Sequence, residues 1–371
     1  MNRPVRVLAF GTYERDYPRN AQVVACLRGA GVEVVERHVP VWEGQEHKWA
    51  VGPGAALRLL AAEARLLVPP RVAFDVVRVG YPGHLDLAAA KLVARGRPIV
   101  FDPLVSLSDS FVADRGRFRP GSPAARALLA IDRAALRAAD LVIADTEAHA
   151  DFLAELGGIP RERVAVCLVG AEERVFGPGW RPVEPFHALF VGKLIPLHGL
   201  ETIVAAARLA PEVRFRIVGS GQLESALADP PANVERVPWV DYDALPGELH
   251  AAGCALGIFG GSAKAARVIP NKAYQALACG TPLVTGDTPA ARELLVGGES
   301  ALLVPPGDPA ALATAVRRLA GDAALRRRLA AGGHAAYRLH ASEEVLGRRW
   351  RSLLEELVAG HGAGATTGAG R

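Results

Sequence analysis

The stretch "RVIPNKAYQALACGTPLVTGDTPAARELL", residues 267–295, decides how the chain is read. Pro270 suits the first turn of a helix, where its missing N–H would have no partner anyway. The helix it opens carries Asn271 and Lys272 at its start, where unpaired N–H groups point outward. Gly280 stops that helix and Pro282 prevents its continuation. "PLVTGD" then reads as a short buried strand and "TPAARELL" as a second helix. A helix–stop–strand–helix unit of this kind belongs to an α/β domain with a parallel sheet. Arg267 and Lys272, with Lys264 upstream, gather positive charge near a helix start, which favours an anionic group such as a phosphate. A solvated charged loop is the other reading.

The same alternation runs outward in both directions. Upstream lie "HALFVG", "VRFRIVGSG", "NVERVPWV" and "CALGIFG", separated by helical stretches. Before them "AEERVFGPGWRPVEPFH", residues 171–187, is rich in Pro and Gly and reads as a linker. Ahead of the linker a first set of short apolar runs, "VRVLAF", "VEVVERHV", "FDVVRVG", "RPIVFD", "DLVIAD" and "RVAVCLVG", alternates with helices in the same way. The chain therefore reads as two Rossmann-like α/β domains, residues 1–176 and 177–344, facing each other across a cleft lined by the carboxyl ends of their strands. Residues 345–360 form an amphipathic helix that could pack back on the first domain, and 361–371 a Gly-rich tail without expected structure.

The chain's 371 residues exceed what one core covers, which also favours two domains. Half the residues are hydrophobic and 22% charged, a globular rather than disordered balance. The net charge of +4 leans weakly toward anionic ligands, and with no basic block it gives no nucleic-acid arm. Cys26, Cys167, Cys254 and Cys279 form no CxxC pair, so they read as buried free thiols of a reducing compartment, not as a zinc site. The N-terminus goes straight into a strand without a signal-peptide pattern, and no apolar run approaches the roughly 20 residues of a membrane span. These features place the protein in the cytoplasm. The Leu/Ala-rich stretch 46–68, with Trp49, Arg58 and Arg65, fits a core-facing helix, the commoner case, or a helix lying on the inner face of a membrane.

Further chemistry-bearing positions sit at strand ends. In "FVGKLIPLHGL" a strand meets Gly192 and Lys193, and His198 and Gly199 precede a helix. Gly lets a ligand approach the backbone, and a Lys and a His beside a helix start suit a diphosphate; an ordinary turn with surface charges is equally open. Gly219 and Gly221 in "RIVGSG" follow another strand, a weak signal that also fits a tight turn. "DYD", 241–243, invites a divalent-metal reading, but its place before a helix favours Asp241 or Asp243 as a cap, so no metal site is assigned. In the first half Gly11, Tyr13, Arg15 and Arg19 share the loop after the first strand; for Arg19 a plain basic surface loop is the favoured reading. His84 lies in a loop, where a lone His is usually solvated, and Asp102 stands at a strand end before Pro103, where it could also cap a turn. In "DTEAHADFL", Thr146 reads as a cap, with Glu147 and His149 exposed.

Taken in order, "FVGKLIPLHGL", "RIVGSG", "PNKAYQALACGTPLVTGDTPAARELL" and "ALLVPPGDPAALATAV" resemble the nucleotide-sugar half of a GT-B-fold glycosyltransferase of the large retaining family 4. The resemblance spans most of residues 186–320 and implies transfer of a sugar from a nucleotide-diphosphate donor, a UDP- or GDP-sugar, to a hydroxyl acceptor on a glycan, a lipid-linked molecule or a small molecule. It implies retention of configuration, no metal and no separate cofactor. Lys193 falls where the family places an Arg and His198 where it places a Lys, both diphosphate contacts. In the family's Glu-x7-Glu signature Gln275 replaces the second Glu, the ribose contact. Arg267 replaces the first by spacing, or Lys264 after a loop shift. The base would be held by backbone at Trp239 or Val240, and Gly11 would face the donor phosphates across the cleft. Tyr13, Arg15 and His84 would meet the acceptor, and Asp102, near the usual acceptor-side His, would orient its hydroxyl. The altered signature leaves a non-catalytic sugar-nucleotide-binding protein, or an epimerase on the same fold, as the alternative.

Overall fold

A computed structural model describes residues 3–41, 53–68 and 70–368. Trp49 and the start of the stretch 46–68 lie outside the described residues. The apolar runs become twelve short strands in two sheets of six, every pairing parallel. Parallel strands are covered by helices on both faces, which is why they read as continuous apolar runs rather than as alternation. The chain divides into two compact units.

The first unit holds β1 (Arg6–Gly11), β2 (Glu33–His38), β3 (Val76–Val79), β4 (Ile99–Phe101), β5 (Leu141–Ala144) and β6 (Val164–Val166), in the order β2-β1-β3-β4-β5-β6. One face of this sheet packs Leu8, Phe10, Val77, Val79 and Phe101 against helices that include Leu87–Ala94 and Pro123–Ala138. On a second core Val7, Val76 and Val100 meet Leu346, Trp350, Leu353 and Leu354 of the final helix, Glu343–Gly368. That helix runs on into the Gly-rich stretch whose composition predicts no structure. Trp350 is fully buried, and its ring lies 5.9 and 5.6 Å from the guanidinium carbons of Arg19 and Arg78.

The second unit holds β7 (His187–Val191), β8 (Arg214–Val218), β9 (Val234–Val237), β10 (Cys254–Leu256), β11 (Leu283–Gly286) and β12 (Leu302–Val304), in the order β12-β11-β10-β7-β8-β9. The segment that reads as a linker is strapped onto this unit. Trp180 Nε1 donates to the Ala252 carbonyl at 2.8 Å, the Gly179 and Arg181 amides bond Cys279 and His250, and Phe176 is buried. The opening stretch folds as its residues dictate. Pro270 is the N-cap of helix Asn271–Cys279, and Gly280 ends it in the left-handed conformation at φ 72°.

Both strand orders reverse at the first strand of the unit. The chain goes from β1 to β2 and then returns to β1's other side with β3; likewise it goes from β7 to β8 and β9, then returns beside β7 with β10. In open α/β sheets ligands bind at such a switch point, outside the carboxyl ends of the strands. The loops after β7 and β10, and after β1 and β3, are therefore where the chemistry should lie.

Candidate active site

In the second unit the loop after β7 places Gly192, Lys193 and a single 3-10 turn, Pro196–His198, before helix Leu200–Leu209. His198 is nearly buried, edge-on to Phe190 with ring centroids 5.6 Å apart. Its Nδ1 meets the Lys193 carbonyl. A carbonyl only accepts, so Nδ1 carries the proton, and the ring must take a second proton before Nε2 can also donate.

Lys272 comes to the same point from helix Asn271–Cys279, whose N-terminus follows the loop after β10. Its side chain is not a surface charge. Only 9% of the residue is exposed, and Nζ has no hydrogen-bond partner among the described residues. Nζ stands 3.8 Å from the centre of the Phe190 ring, a cation–π contact that compensates only part of the lost hydration. Burial pulls the ammonium well below the usual lysine range. A methyl group on Gly192 would lie 2.9 Å from Lys272 Nζ and 3.5 Å from His198 Cε1. The absent side chain at Gly192 is thus the space between these two groups.

The other donor-side positions divide. Lys264 and Gln275 are buried and Arg267 and Asn271 are partly buried, on the short helix Ala263–Arg267 and the helix that follows it. Gln275 lies one turn beyond Lys272, on the same side of the helix. Close by is Tyr242, whose buried hydroxyl faces the Gln275 side chain. Gly219 and Gly221, at φ 143° and 151°, answer to the backbone: a side chain there would meet the Gly192 carbonyl at 1.9 Å or the Leu194 carbonyl at 2.8 Å. They lock the loop of Lys193 against the end of β8, where the Leu194 amide bonds the Ser220 carbonyl. Val240 is partly buried just past β9, beside Trp239, the most exposed large apolar side chain among the described residues. The expected capping carboxylate is not found: Asp241 precedes a 3-10 turn with no side-chain capping bond, and helix Leu245–Ala251 starts after Ala244.

In the first unit the switch-point loops close on one another. Thr12 donates its amide to Asp86 Oδ2 at 2.7 Å and its hydroxyl to Oδ1 at 3.0 Å. A side chain at Gly11 would meet Asp86 Oδ2 at 2.1 Å, so the glycine is what lets that carboxylate reach the loop backbone. Glu63, from helix Pro53–Leu66, hydrogen-bonds Asp86; burial and that shared proton raise it to about 8. Tyr13 is buried with its hydroxyl 3.1 Å from Glu36, which Arg15 also bonds at 3.0 Å.

Three expectations about solvation need correction. His84 is not a solvated loop residue: it is buried, edge-on to Phe101, with Nε2 3.5 Å from Asp132, and burial lowers its pKa. Arg19 is not a surface residue: Asp102 lies buried between it at 3.2 Å and Arg78 at 2.6 Å. His149 is buried against Asp145. Burial pushes the Asp102 carboxyl up, and the two guanidiniums overcome it, leaving it below the ordinary carboxylate range. The sequence reading missed Arg78 and Phe190. The signal for Arg78 was present, a lone charge inside the apolar strand "FDVVRVG".

A parallel α/β unit with a buried lysine and histidine at its switch point belongs to the open α/β folds that take their ligands at the carboxyl ends of the strands. Comparison with known proteins narrows the class. Residues 185–322 match the family "Glycosyl transferases group 1" and residues 2–170 the "Glycosyl transferase 4-like domain", together most of the chain. D-inositol 3-phosphate glycosyltransferase 1 of Catenulispora acidiphila is 29% identical over 386 residues, covering 95% of this chain and 86% of that one. The sucrose-phosphate synthase (tll1590) of Thermosynechococcus elongatus superposes with a TM-score of 0.71 at 17% identity, over 97% of this chain and all of that one. Anabaena Alr3699/HepE, solved with UDP-glucose, gives 0.65 at 14%, over 95% and 99%. The chain belongs to the group 1 glycosyltransferases, with the paired Rossmann-like units of the GT-B fold, and it transfers a sugar from a nucleotide sugar.

Proposed function

We propose that the second unit binds the donor diphosphate at Lys272, His198 and Lys193, that the first unit binds a hydroxyl acceptor, and that transfer proceeds with retention and without a metal ion. The observation that carries this is the buried Lys272 ammonium, held at a helix start with no hydrogen-bond partner among the described residues. A desolvated cation of this kind is costly unless an anion pairs with it. A diphosphate would supply that anion, and at Gly192 no side chain stands against Lys272 to bar its approach.

In the reaction the bond from the anomeric carbon to the terminal phosphate oxygen breaks and a bond to the acceptor oxygen forms. The acceptor proton passes to the departing phosphate. Negative charge grows on the diphosphate, and fixed cations already facing it stabilise the transition state without reorganising. Lys193, Lys272 and protonated His198 supply the positive charge that a divalent ion supplies elsewhere. Gln275 bonds the ribose in place of a Glu, and backbone at Val240 reads the base. Relatives solved with UDP and with UDP-glucose support a uridine nucleotide. Asp102, with both oxygens taken by arginines, acts by positioning β4 and the loop that follows it rather than by moving a proton. Four buried cysteines, none of them in a disulfide, support a cytoplasmic site of action.

The test is thermal shift of the purified protein in EDTA against UDP-, GDP-, ADP- and TDP-sugars. A ligand that binds only the folded state must raise the melting temperature. One clear stabiliser whose effect is lost in Lys193→Ala is the expected result. No response to any donor at millimolar levels overturns the donor site.

A further inference from the structure

The helix Pro53–Leu66 is apolar on two sides. Ala62 and Leu66 are buried in the first unit. On the other side Leu57 and Leu60 are 69% and 67% exposed, and Leu67, Val68 and Val72 extend the strip past the helix end. At about 100° per residue, Leu57, Leu60 and Ala64 share one stripe of the helix, with Arg58 and Arg65 along its flank. Five of the twelve exposed large apolar side chains among the described residues lie between 57 and 72, so this is a patch and not the usual scatter.

Charge decides what fits it. Arg58, Arg65 and Arg71 are exposed, and Glu63 is the lone acid from 53 to 72. Glu63 turns inward to Asp86, so the charge presented with the apolar strip is positive. The strip runs along one helix and past its end, and long basic side chains beside it can lay their stems on the apolar surface and lift their charges to phosphates. No helix among the described residues is long and apolar enough to cross a membrane, so a bilayer would be met from one side.

We propose that this face docks the protein on an anionic lipid bilayer, with Leu57, Leu60 and Val68 inserted and Arg58 and Arg65 at the headgroup phosphates. The test is flotation of the full chain with phosphatidylcholine vesicles containing about 30% phosphatidylglycerol, against phosphatidylcholine alone. The wild type should float with the anionic vesicles only, and high salt should weaken binding. The double variant L57E/L60E should lower the bound fraction's partition at least about tenfold, with the melting temperature and donor turnover in solution unchanged. Should L57E/L60E fail to fold, R58E/R65E decides, with a similar loss confined to anionic vesicles. A wild type that floats with neither vesicle, or variants that float as the wild type does, overturns the proposal. So does a wild-type dimer that L57E/L60E converts to monomer, which would assign the face to a second copy.

Discussion

Replacing Lys272 with methionine should move stability and donor affinity in opposite directions. In the ligand-free protein Lys272 Nζ is buried, unbonded among the described residues, and in contact with the Phe190 ring. A lysine can escape desolvation by losing its proton, at a cost set by the gap between its ordinary value of about 10.4 and pH 7. That caps the penalty at about 5 kcal/mol. The ring face returns about 1–2 kcal/mol of it, and methionine fills a similar unbranched volume without charge. The ligand-free variant should be more stable by about 2 kcal/mol, a rise in Tm of roughly 4–8 °C for units of this size. The donor side has the other sign. Losing one charge-assisted bond of about 1.5–3 kcal/mol should weaken nucleoside diphosphate binding roughly tenfold to a hundredfold. Scanning calorimetry and titration calorimetry read the two effects separately. A ligand-free Lys272→Met protein less stable than wild type would refute the reasoning, because the ammonium would then have a compensating partner. Affinity within about twofold of wild type would refute the diphosphate role.

Gly192→Ala should cost stability by about 1 kcal/mol or more from φ 145° alone, and should abolish donor-induced thermal shift, since the new methyl would fill the space between Lys272 and His198. Asp102→Asn leaves two buried guanidiniums facing an amide, and should destabilise by about 3–5 kcal/mol in urea unfolding. Glu63, raised to about 8 by burial and Asp86, keeps its proton in the folded state at pH values where the unfolded chain has released it. Stability should therefore fall as pH rises from about 4.3 to 8, and Glu63→Gln should flatten that fall in Tm measured against pH.

The element order was legible because each decision was local. Pro270 before a helix, Gly280 after it and the apolar run 283–286 need no knowledge of the rest of the chain, and the structure forms each as read. The parallel sheets followed from the same alternation repeated on either side of the linker. What local patterns do not carry is how deeply a side chain is placed. Arg19, His84 and Lys272 all sit in polar surroundings in the sequence, yet each is buried by elements far along the chain: Arg19 by the helix of Trp350, His84 by Asp132, and Lys272 by Phe190. The same holds for Gly11 and Asp86, 75 positions apart, which meet because β1 and β3 are neighbours in the sheet. Lys272 is the instructive case. Its spacing marked it as a phosphate group's partner, but the desolvation that gives the site its strength is visible only when the ring of β7 is set beneath it.

The most direct measurement is titration calorimetry of the wild-type protein, in EDTA, with uridine diphosphate and with uridine. If Lys193, His198 and Lys272 hold the diphosphate without a metal, adding the two phosphates should tighten binding by at least about a hundredfold, the worth of two charge-assisted bonds in a desolvated site. Equal affinities for the two, or a diphosphate advantage that appears only when magnesium or manganese is restored, would contradict the account.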